Sequence, residues 1–104
     1  MQGLPKIVRD GIPAMITKRG GKCTTRIASH TEARSMLITK LNEEAEEYRK
    51  SGDPDDLADI LEVLHAIVAR SEFEWSEIER RREAKHVERG GFDENIVLLA
   101  YTRS

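Results

Sequence analysis

The acidic run Glu43-Glu44-Ala45-Glu46-Glu47 and the set Asp55-Asp56-Leu57-Ala58-Asp59-Ile60-Leu61-Glu62 are the residues of this chain whose types and spacing can do chemistry. Both lie in apolar sequence with helical period, and Ser51-Gly52-Asp53-Pro54 breaks the chain between them. A fold-back at Gly52 therefore sets carboxylates from two helices face to face. Two carboxylates about 5 Å apart repel by about 3 kcal/mol at an effective dielectric near 20, and partial burial adds a desolvation cost. A hard divalent cation removes both penalties. Oxygen donors with no Cys or His pattern beside them suit Mg2+, with Mn2+ as the substitute. The chemistry of such a site is cleavage of a phosphate ester or anhydride by metal-activated water.

Two helices must position these groups. At about 100° per residue, a helix over 31–50 lines up Ala33, Leu37, Leu41, Ala45 and Tyr48 as one stripe. Glu44 falls inside that stripe and Glu47 on its flank, while Glu43 and Glu46 point away. A helix over 54–71 is apolar almost all the way round, the mark of a helix covered by several neighbours. On it Asp59 and Glu62 share a face with Ala66 and Ala69, and Asp56 lies near Val63 and Ile67. The fold-back predicts Glu47 opposite Asp56 and Glu44 opposite Asp59, four carboxylates on adjacent turns. Some acidic residues have simpler roles. Asp53 reads as an N-cap and Pro54 as the first helical residue, with Asp55 and Asp56 complementing the helix dipole. Glu43 and Glu46 read as a solvated face. Glu44, Asp59 and Glu62 interrupt faces that would otherwise be apolar, and no such role accounts for them.

The rest of the chain frames this pair. Its 104 residues make one domain, 1–104, with 38% hydrophobic and 5% aromatic content. So lean a chain, with one helix apolar on every side, is expected to complete its core as a homodimer or homotetramer. A net charge of -2 argues against nucleic acid as a partner. The single Cys23 excludes an internal disulfide and fits a reducing compartment. No apolar leader and no uninterrupted apolar stretch long enough to span a bilayer are present, so the expectation is a soluble, cytoplasmic protein with no membrane partner. A short helix is expected over Ile12 to Lys18, with Pro13 in its first turn. Thr24 to Ala28 and Asn95 to Tyr101 read as two strands pairing at one edge of the helical body. A last helix is expected with Ser76 as N-cap and Glu79 completing a capping box, stopping at Gly90-Gly91. It concentrates Arg80, Arg81, Arg82, Lys85, His86 and Arg89. Arg81, Lys85 and Arg89 follow at four-residue spacing along one face, which either meets phosphates or forms surface ion pairs. His65, beside Leu61 and Val68, reads as a packed histidine.

Glu43-Glu44-x-x-Glu47 followed by Asp56-x-x-Asp59 resembles the signature of the all-α nucleoside triphosphate pyrophosphatases, the MazG-like superfamily that includes phosphoribosyl-ATP pyrophosphohydrolase. Further blocks, Lys6-Ile7-Val8-Arg9-Asp10-Gly11-Ile12-Pro13, Lys40-Leu41-Asn42-Glu43-Glu44, Leu57-Ala58-Asp59-Ile60-Leu61-Glu62-Val63-Leu64 and Arg89-Gly90-Gly91-Phe92, are similar to the branch described as house-cleaning noncanonical pyrophosphohydrolases. Asp56 stands where the superfamily usually has Glu, and Gly11 where that branch has Lys. The resemblance implies an all-α antiparallel helical bundle, carrying the small two-stranded β element at its edge. It also implies magnesium-dependent cleavage of a nucleoside triphosphate between the α and β phosphates, releasing a monophosphate and pyrophosphate. In that scheme Glu44, Glu47, Asp56 and Asp59 hold the metal, and Glu43 or Glu62 orients the attacking water as general base. Lys6, Arg9, Lys85 and Arg89 bind phosphates, with Asp10 orienting one of them. Two other readings stand beside this one. One is a non-catalytic helical homo-oligomer that binds a protein or nucleic-acid partner, and the other a pyrophosphohydrolase acting on phosphoribosyl-ATP.

Overall fold

The computed structural model describes residues 3–103 and contains four helices: α1 (Ile12–Lys18), α2 (His30–Ser51), α3 (Pro54–Ala69) and α4 (Trp75–Arg89). The fold is all-α. No helix among the described residues is long and apolar enough to cross a membrane.

The α2–α3 hairpin is its centre, and local sequence dictates it. Ser29 caps α2 by accepting a hydrogen bond from the Glu32 amide at 3.1 Å. Gly52 ends the helix in the left-handed region at φ 64°, its amide donating to the Tyr48 carbonyl at 2.8 Å. One residue later the Asp53 side chain accepts from the Asp55 amide, and Pro54 opens α3. So short a turn forces the helices antiparallel. A Cβ at position 52 would meet nothing within 4 Å, so Gly52→Ala pays only the left-handed backbone penalty, about 1 kcal/mol. A lower urea midpoint with an unchanged slope is the expected result, and an unchanged midpoint would refute this account of the turn.

Along the hairpin Ala33 and Leu37 of α2 and Val63 of α3 are buried, and no side chain among the described residues is fully enclosed. The far end is tied by the His30 ring, whose Nε2 lies 3.1 Å from the Arg70 carbonyl oxygen. Arg70 caps α3, slightly earlier than the apolar pattern suggests. Beyond it α4 meets α3 narrowly, where the Trp75 indole stacks on the His65 ring at 3.6 Å between centroids. His65 is thus a packing histidine. α1 occupies the span expected for it but packs against none of the other helices.

Two expectations fail. The two-stranded element is absent among the described residues: 21–29 and 96–103 are irregular and almost wholly exposed, with no ladder between them. Alternating β-branched residues need a hydrogen-bonded neighbour to become a strand, and an isolated pair is marginal. Here α4 carries the second segment away from the hairpin. The capping box at Ser76 is also absent, because α4 starts two residues earlier, after Glu74, with no side-chain cap. Ser71 organises the approach instead, accepting from the Phe73 amide at 3.1 Å, and Trp75 enters the first turn to reach His65.

Candidate functional site

Folding at Gly52 brings three carboxylates together. Glu44 of α2 and Asp56 and Asp59 of α3 each present an oxygen within 4.8 Å of the others, and all three are half-buried. The α2 stripe that carries Ala33 and Leu37 toward α3 also carries Glu44, and Asp56 and Asp59 lie on the side of α3 that bears Val63. Packing at one end of the hairpin therefore fixes the acid group at the other.

Each carboxylate has one polar partner. Lys40 approaches Glu44 Oε1 at 3.4 Å, and both side chains are more than four-fifths covered. The Ser51 hydroxyl donates to Asp56 Oδ2 across the turn. Arg9, fifty residues away in sequence, donates from Nη2 to Asp59 Oδ1 at 2.8 Å. Two cations thus offset three anions, which explains how the group tolerates partial burial. The remaining lone pairs are uncommitted, and the donor set is all oxygen. Three carboxylates this close together, from two helices, could share one hard divalent cation after a modest turn of their side chains. The residues fit a hard divalent cation.

The other residues singled out by sequence are placed differently. Glu47, one turn beyond Glu44, is exposed and outside the group of three, as are Glu43 and Glu62. Register places Glu44 against both aspartates rather than pairing Glu44 and Glu47 with one each. Of the lead-in, Arg9 reaches the site, Lys6 is half-buried and Asp10 is exposed. Lys85 and Arg89 stand on α4, which does not pack against α2, and the closest anion to Arg89 is its own neighbour Glu88 at 3.8 Å. Most of the basic helix is a solvated face laced with local pairs. Arg81 and Arg80 both bond Glu77, Arg82 bonds Glu79 and Glu83, and the Arg81 guanidinium lies over the Phe73 ring at 4.9 Å. These two arginines hold the Glu77 carboxyl below its ordinary range. Arg26 does the same to Glu32 through two hydrogen bonds of 2.6 and 2.7 Å. Lys40 and Ser51 are the site residues that sequence reasoning passed over, though Lys40 stands one turn before Glu44 on the same face.

Compared with protein-family models, with curated proteins and with solved structures, the chain matches none.

Proposed function

We propose that the protein is a metal-dependent nucleoside triphosphate pyrophosphohydrolase, cleaving between the α and β phosphates to give a nucleoside monophosphate and pyrophosphate, with noncanonical nucleotides as its substrates. The observation that carries this reading is the convergence of Glu44, Asp56 and Asp59 from two helices, half-buried and with oxygen donors left free. These are three of the four positions to which the acidic signature assigns the metal. A bound magnesium ion would supply neutralisation of phosphate oxygens and a water acidic enough to attack phosphorus.

The chain's own residues do the rest. Glu47, exposed one turn from Glu44, completes the ligand set by turning its side chain inward. Glu43 or Glu62 takes the proton from the attacking water. Arg9 is held at the rim of the site by a salt bridge about half open to solvent, a pairing of small net strength. It therefore exchanges Asp59 for a phosphate at little cost, and its planar fork suits that partner. In a single chain, phosphate binding falls to Arg9 and Lys6, because α4 diverges from the hairpin and takes Lys85 and Arg89 with it.

One specific observation favours a second reading. Lys40 and Arg9 already neutralise Glu44 and Asp59, as they would in a non-catalytic helical homo-oligomer whose acidic group is only structural. The deciding experiment is release of pyrophosphate and monophosphate, with magnesium, from a panel of ordinary, deoxy and damaged nucleoside triphosphates, with phosphoribosyl-ATP included. Turnover of any of them is expected. Folded protein that cleaves none would leave the second reading in place.

A further inference from the structure

One chain exposes far more surface than a compact fold of its mass. A folded monomer of 11.8 kDa exposes about 5,900 Å², whereas this chain exposes 9348 Å². Its radius of gyration is 18.1 Å and its extents 61 × 33 × 23 Å, against about 13 Å for the radius of a compact chain of this length. The excess, about 3,400 Å², exceeds the roughly 1,000–2,500 Å² that each partner buries in an obligate homodimer.

Two uncovered apolar surfaces are of similar length. On α3, Leu57, Leu61, Leu64 and Val68 recur at helical spacing as a stripe turned away from α2. Leu57 and Leu61 are about half exposed, at 47% and 49%. The stripe runs about 16 Å along the helix. After α4 comes Ile96-Val97-Leu98-Leu99-Ala100-Tyr101, irregular and uncovered, with Leu99 91% exposed. Extended, those six residues span about 20 Å. α4 is 15 residues long, about 22 Å, and it meets α3 only narrowly, near Trp75. It therefore delivers the segment away from its own hairpin.

We infer that a second copy of the chain covers both surfaces by exchange: the 96–101 segment of each copy lies along the Leu57–Leu61–Leu64–Val68 stripe of the other. The arrangement is isologous, so one two-fold axis satisfies both segments and both stripes. It does not depend on the catalytic reading, since no residue of the acidic group takes part.

The test compares the 104-residue chain with two double variants by sedimentation equilibrium. Leu98→Glu/Leu99→Glu alters the segment, and Leu57→Lys/Leu61→Lys alters the stripe. The wild type is expected at twice the 11.8 kDa chain mass or a multiple of it, and each variant alone at the mass of one chain. Mixing the two variants, after refolding them together if either is unstable, is expected to restore the dimer. One exchanged contact is then wild type on both sides, and the other sets glutamate against lysine. Only exchange in trans gives that rescue. A monomeric wild type, a dimer that survives either pair of substitutions, or variants that stay monomeric when mixed would each overturn the inference.

Discussion

Glu44→Ala and Asp59→Asn are each expected to lower pyrophosphate release by about 100-fold or more, while Glu46→Ala leaves it unchanged. The size follows from the geometry. Loss of a residue one step removed from a metal already costs about 10- to 100-fold, and these two groups would touch the ion. Three carboxylates share the site, with Lys40 and Arg9 as internal counter-charges. Removing one anion leaves the two cations opposing only two, so the attraction for an external cation falls steeply. Glu46 belongs to the same acidic run, yet it is exposed on the far side of α2, and its loss removes only solvated charge. Steady-state assays over a magnesium titration separate weaker metal binding, which excess magnesium rescues, from a lost catalytic group, which it does not. If Glu44→Ala and Glu46→Ala turned over alike, the half-buried group would not be the reaction centre.

What could be read from the sequence, and what could not, divides along local and non-local physics. The hairpin was legible because its signals are adjacent: glycine in the break, with Asp53 and Pro54 opening the next helix. Once the turn is fixed, helical period alone brings Glu44 to the side of α2 that meets α3. The pairing of Arg9 with Asp59 spans fifty positions and has no local signature. Lys40 was concealed by appearing ordinary, since a lysine one turn before a glutamate is the weaker order for a helical pair and reads as surface decoration. Ser51 lies inside the turn, where its residue type signals a break and nothing of its bond to Asp56. The segments 24–28 and 95–101 have strand-like composition, but composition does not provide a partner, and in the single chain neither finds one. The basic face of α4 lies apart from the acidic group in the single chain for a similar reason. Its spacing was right, but whether it reaches the acidic group depends on packing that one chain does not supply.

Magnesium is expected to raise the melting temperature of the wild type by about 10 °C or more at a concentration near 100 times its dissociation constant. Binding to the folded state alone contributes about 2.7 kcal/mol under that condition, and a domain of about 100 residues gains at least about 4 °C per kcal/mol. Asp59→Ala should abolish the shift. Arg9→Ala should act in the opposite direction. Without metal it leaves Asp59 facing Glu44 and Asp56 with no guanidinium between them, so the apo protein melts earlier. With metal it spares the ion the work of displacing Arg9, so the shift grows. This crossed pattern separates a metal site from a merely structural acidic group, in which Arg9→Ala would destabilise equally with and without magnesium. Differential scanning calorimetry at constant protein concentration makes the comparison, and constancy matters because an assembly's melting temperature also depends on the amount of protein. A wild type indifferent to magnesium and manganese would mean that Lys40 and Arg9 are the permanent partners of Glu44 and Asp59, and the non-catalytic reading would then hold.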